Sequence, residues 1–193
     1  MQYQKAKKFI LIKLKKELPK HLTYHNVAHT ERVFNSCKII AEGEGLKGNN
    51  LKLLLTAALF HDAGFIVQQK DHEQISCDIA RKHLPDYGYT DAAITCICNM
   101  IMATKMPQRP NNKMEEILAD ADLDYLGRED FFTIGNQLLE ELSFYGIIHT
   151  EEEWDKIQIH FLENHQYFTN TATALRKKQK DDYLNMLKAK LKP

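Results

Sequence analysis

"ALFHDAGF", residues 58–65, sets a histidine and an aspartate side by side at the end of an apolar run. Residues 50–62 are almost all apolar, as in a helix buried on most of its sides. An ionised carboxylate at the end of such a helix is costly unless it is paired or holds a cation. The stretch therefore predicts two things at once: other helices packed around it, and a reason for His61 and Asp62 to face inward.

Outward from this stretch the chain repeats one pattern, helical periodicity punctuated by Pro, Gly and Asn. Residues 2–18 carry Phe9, Leu11, Ile12, Leu14 and Leu18 before Pro19, and residues 26–42 carry Val27, Val33, Phe34, Cys37, Ile40 and Ala41 before "GEGLKGNN". Further helices are expected at about 71–84, 90–104, 112–127, 129–143, 150–166 and 171–189. Neither an alternating strand pattern, a repeat nor a low-complexity linker is found. The expectation is an all-α protein, residues 1–193 forming a single domain of about eight or nine helices. With 193 residues, 44% of them hydrophobic, such a bundle can bury a sizeable core.

Lys+Arg and Asp+Glu both number 26, so no global field favours a nucleic acid polymer or an anionic membrane, and an anionic partner must be held locally. The "FILIKLKKEL" stretch is broken by Lys13, Lys15 and Lys16, which fits neither a signal peptide nor a spanning helix. Cys37, Cys77, Cys96 and Cys98 show no C-x-x-C spacing and read as reduced, mostly buried thiols of a cytoplasmic protein.

The chemistry falls on three helices. His25 and His29, in "YHNVAHTERV", are four residues apart and share a side of the second helix. His61 and Asp62 end the third, and Asp120 and Asp122, in "ILADADLDYLG", follow another apolar lead-in. One shared metal would account for imidazole and carboxylate at apolar positions of all three. Such an N/O set suits one divalent ion, Mn, Fe, Co, Ni or Zn, or Mg with fewer protein contacts. Read alone, a His-Asp pair more often caps a helix or completes a core hydrogen bond.

The ordered pattern His29, His61-Asp62, then an aspartate after "ILA" resembles the HD-domain superfamily of metal-dependent phosphohydrolases, an all-helical fold named for the adjacent pair. The resemblance extends through "DHEQISCDIARKHLPDYGY" to "HQYFTNTATALR" and is closest to the branch labelled predicted metal-dependent HD phosphohydrolases. It implies His29, His61, Asp62 and Asp122 as metal ligands, with Asp120 the alternative to Asp122. It implies catalysis by Asp62 or Glu73, either of which can take a proton from the attacking water. Read without it, Asp71 is an N-cap and Glu73 complements the helix dipole. His72 can touch substrate or ligate a second metal, though the "HHE" of two-metal relatives is missing from "ITCICNMIMATKMPQRP", which favours one metal. Lys105 and Arg109, in the loop before the aspartate helix, are candidates for phosphate, or are ordinary surface charge. His25 either touches substrate or orients His29 by a hydrogen bond. His21, His83, His149, His160 and His165 have no partner at ligand spacing and read as structural or exposed.

The activity the resemblance implies is hydrolysis of a phosphate ester, a nucleotide or cyclic nucleotide, with a small phosphorylated molecule as the partner; a homodimer is compatible with this. The alternatives are a non-catalytic metal- or nucleotide-binding regulator and a di-iron oxygenase of the same superfamily, the latter opposed by the missing histidines.

Overall fold

The computed structural model describes residues 1–191; positions 192 and 193, the end of the expected 1–193 domain, lie outside the described residues. Among the described residues there are nine α-helices and no strand: α1 (Tyr3–Glu17), α2 (Val27–Gly43), α3 (Gly48–Phe60), α4 (His72–His83), α5 (Asp91–Ala103), α6 (Lys113–Asp122), α7 (Phe131–Phe144), α8 (Glu151–Asn164) and α9 (Asn170–Lys190). None is long and apolar enough to cross a membrane. The four cysteines are free, Cys96 being the most accessible.

Two expected helices end early. The helix expected over 50–62 stops at Phe60, and Ala63–Ile66 form a 3-10 turn, so His61 and Asp62 occupy the bend between them. The helix expected over 112–127 stops at Asp122 and is followed by a second such turn, Asp124–Gly127. In both places the inward-facing ligand candidate lies at a helix end, where the chain turns beneath it.

Helix α3 runs through the middle. Leu54 to Phe60 are all buried, and α3 packs against α1, α2, α5 and α6. Helix α1 offers Ala6, Ile10 and Leu14 at four-residue steps, a narrow stripe with lysines on the other faces. The main core joins α1 to α6, while a second cluster gathers Leu123, Leu126, Phe131, Leu162, Tyr183 and Leu187 from the turn after α6 and from α7, α8 and α9. The charged residues of interest lie where these two apolar masses meet.

Several starts are capped as their sequences imply. Asn26 Oδ1 accepts the His29 backbone N–H at 3.1 Å, and Thr150 with Glu153 forms a capping box on α8. The first of these caps also sets the orientation of the turn carrying His29.

Candidate metal centre

His29 Nε2 and His61 Nε2 lie 3.2 Å apart. Asp62 Oδ2 is 3.2 Å from each of them, and Asp122 Oδ1 is 3.2 Å from His29 Nε2 and 3.3 Å from His61 Nε2. His29, His61 and Asp122 form one triangle of mutually close donors, and Asp62 forms a second triangle on the same two imidazoles, outside that set. Ligands about 2.0–2.1 Å from a tetrahedral ion stand about 3.3 Å from one another, so each triangle has the size of one face of a first-row divalent metal site. The donor set also fits: two imidazoles and two carboxylates, three of the four residues being buried. Asp62 Oδ2 is enclosed yet accepts no hydrogen bond of sound geometry, an orphan that a cation would satisfy.

The surrounding chain holds these groups in register. His61 Nδ1–H donates to the Ala58 carbonyl at 2.9 Å, which turns the Nε2 lone pair toward the cluster. Burial works against charge on the imidazoles, but the carboxylates outweigh it: His29 is raised, and His61 well raised, above the ordinary histidine value. Burial likewise opposes ionisation of Asp122, yet the two histidines hold its carboxyl down at about 2. Without a metal, the carboxylates favour the protonated form of both imidazoles.

Asp120 turns elsewhere. It is fully buried and accepts from the Phe168 N–H at 2.9 Å, the Thr169 N–H at 2.8 Å and the Thr169 hydroxyl at 2.7 Å. Two residues along a helix differ by about 200°, so one aspartate faces the cluster and the other the start of α9.

A cavity of about 310 Å³ opens beside the cluster, with Asp62 and Asp122 in its wall. Glu73, His72 and His25 line it as well. Half-buried His72 points Nε2 at the other oxygen of Asp62, Oδ1, at 3.5 Å and at Glu73 Oε1 at 3.6 Å, while its Nδ1–H donates to Gln69 O at 3.0 Å. His25 does not orient His29: its Nδ1 is bonded to Glu141 of α7, whose carboxylate also accepts the backbone N–H groups of Tyr24 and His25 at 2.9 and 3.0 Å. Phe65 stacks on His25 and leans on His72, ring centroids 4.2 Å away in each case.

Lys105 and Arg109 are both exposed and absent from the cavity wall, which their loop supplies through Thr104 and Met106 instead. Lys105 pairs with Asp71 at 2.9 Å. Asp71 precedes α4 in a left-handed conformation, φ 54°, and its side chain caps nothing, contrary to the N-cap expectation.

Sequence reasoning missed Glu141, the two tyrosines Tyr24 and Tyr125, and the contribution of α7 and α8 to the cavity. Glu141 had a signal: Phe131, Ile134, Leu138 and Glu141 follow helical steps of three and four, so an acid stands on an apolar stripe.

The family model of the HD domain matches residues 26–124, the span from the cap of α2 to the first residue of the turn after α6. No curated protein sequence matches significantly. Two crystal structures are similar in fold. One is of a predicted HD superfamily hydrolase from an uncultured Thermotogales bacterium, 20% identical, with a TM-score of 0.65 over 95% of this chain and 90% of that one. The other is of a protein from Lactobacillus plantarum, 19% identical, with a TM-score of 0.69 over 98% of each chain.

Proposed function

We propose, from the premise that this chain belongs to the HD-domain family, that it is a metal-dependent hydrolase of phosphate esters in which His29, His61, Asp62 and Asp122 hold one divalent ion. The observation that carries this reading is the pair of triangles with 3.2–3.3 Å edges that share the two imidazoles, one closed by Asp122 and the other by the otherwise orphaned Asp62 Oδ2. A divalent ion held there supplies a Lewis acid that polarises the phosphoryl oxygens and makes water a stronger acid.

The chain's own residues divide the remaining work. Burial raises the Tyr24 and Tyr125 hydroxyls, so both remain protonated donors for phosphoryl oxygens in the cavity. His25, fixed by Glu141, presents its ring to the same space. Glu73, buried in the wall, accepts a proton from the attacking water as the new P–O bond forms. The bond from phosphorus to the ester oxygen breaks, and His72 gives that oxygen a proton. Glu73 then returns a proton to His72, 3.6 Å away, by way of a water molecule. Water and ester are consumed, an alcohol is produced with inorganic phosphate from a monoester or a monoester from a diester, and the side chains recover their starting state.

The test is metal analysis of the purified, reconstituted protein combined with phosphate release from a panel of monoesters and diesters. About one metal per chain and turnover is expected. His61→Ala and Asp62→Ala should lose both metal and activity, whereas Glu73→Gln should keep the metal and lose roughly 100-fold or more in rate. A metal-loaded protein that releases phosphate from no ester would overturn the reading in favour of a binding regulator.

A further inference from the structure

The cavity beside the cluster is unevenly furnished. Its charged and titratable groups sit at the metal end, and among the described residues its wall includes no lysine or arginine. A second or third phosphate, away from the metal, would be desolvated there without a cation to receive it. The remaining wall is made by Leu126, Phe131, Leu138, Trp154 and Phe161, aromatic faces and aliphatic ends. At about 310 Å³ the space lies at the small end of ligand sites and suits one compact ring system.

One polar side chain interrupts this apolar part. Gln158 of α8 is 8% exposed, and its side chain lines the cavity. Its Oε1 packs over Gly135 of α7, where an added Cβ would stand 3.3 Å away. The missing side chain at residue 135 leaves that oxygen its room. A carboxamide sets a donor beside an acceptor, so a ligand edge with the opposite order can pair with it where it faces the cavity.

We propose that Gln158 is the specificity-determining residue of this cavity. It reads the edge of a flat, neutral ring carrying a hydrogen-bond donor beside an acceptor, in an ester with a single phosphoryl group. This rests on the phosphohydrolase reading for the position of the phosphate, but the ring site itself is independent of turnover.

Three probes separate the cases: uridine 5′-monophosphate, whose ring has N–H beside C=O; phenyl phosphate, whose ring has no such edge; and uridine 5′-triphosphate. The monophosphate should be the best substrate of the three. Gln158→Met, close in size, should lower kcat/KM for it by roughly 10–100-fold, mainly through KM, and leave phenyl phosphate within about threefold. Gly135→Ala, which crowds Oε1 without removing it, should move selectivity in the same direction with a normal melting temperature. Calorimetric binding of uridine, which has no phosphate, should be measurable for the wild type and lost in Gln158→Met. Uridine binding that depends on Gln158, with no ester hydrolysed, would sink the hydrolase reading and leave this one standing. Equal effects of Gln158→Met on both monoesters, or preference for the triphosphate, would overturn the role of Gln158 while hydrolysis stood. The amide would then serve the neighbouring hollow between α7, α8 and α9, whose wall it shares.

Discussion

At the scale of single residues, Asp120 and Asp122 show how two positions separate chemistry from architecture. Asp122 Oδ1 faces both imidazoles, whereas Asp120 receives three donors from Phe168 and Thr169. Thr169 is also the N-cap of α9, its hydroxyl accepting from Ala172 N–H while donating to Asp120. Asp122→Asn should therefore weaken metal binding by more than the roughly 10–100-fold that loss of an outer partner costs. Its melting temperature without metal should move less than its metal affinity. Asp120→Asn should bind metal normally and lose about 1–3 kcal/mol of stability, because the new amide turns N–H groups toward donors. Chemical denaturation and metal titration of the two variants check this together. Metal loss in Asp120→Asn with retention in Asp122→Asn would reverse the assignment.

At the scale of helices and turns, nearly all of the fold was legible in the sequence, and the errors lie where tertiary contact decides. Apolar spacing and Pro, Gly and Asn punctuation locate all nine helices to within a few residues. Residues 61–62 and 123–127 were read as helix because their composition is helical. They turn because His61, Asp62 and Asp122 must meet, a demand that periodicity does not express. The ligand set could be read from an ordered pattern. Glu141 and Gln158 could not be paired with the site, since they come from α7 and α8, far along the chain from the HD turn, and only packing brings them together. The turn after Asp62 carries its own test. Gly64 lies against the first residue of α4, and an added Cβ would stand 2.0 Å from the His72 carbonyl oxygen, backbone that cannot step aside. Gly64 N–H also donates to Ser76 Oγ at 2.8 Å, tying the turn to α4 from a second point. Gly64→Ala should cost about 1–3 kcal/mol and displace His72 and Glu73 together, lowering turnover more than metal content. Gly45→Ala is the contrast: φ is +72° with nothing near the added atom, so it should cost about 1 kcal/mol through backbone strain and leave turnover unchanged. Equal turnover in the two variants would mean that α4 is not positioned by this contact.

At the scale of the whole molecule, the metal centre stands at the seam between two apolar clusters, so its occupancy bears on the stability of the entire bundle. In the metal-free protein burial opposes charge on His29 and His61, but the carboxylates of Asp62 and Asp122 outweigh it and favour protons there, both histidines being raised above 6.5. The stability these protons contribute is fully present below the unfolded histidine value and is lost as pH rises through the raised folded values. The carboxylates do not take part in that change, Asp122 being held at about 2. A metal requires the neutral imidazoles, so its binding releases these protons and weakens as pH falls. Two released protons make the affinity fall by up to roughly 100-fold per pH unit below the histidine values. The stabilisation from a fixed excess of Mn²⁺ or Zn²⁺ should accordingly be large at pH 8 and small at pH 5.5, each 1 kcal/mol moving the melting temperature by about 2–4 °C in a chain of this size. His165 is a separate source of acid sensitivity: burial, with Lys180 nearby, lowers it to about 4, so folded stability falls as pH drops from about 6.5 toward 4. That loss is common to metal-free and metal-loaded protein and cancels in their difference. Melting curves with metal and with chelator across this pH range isolate the contribution of the cluster. A gap between them that stays constant with pH would mean that the bound ion displaces no protons, and would remove His29 and His61 from its ligands.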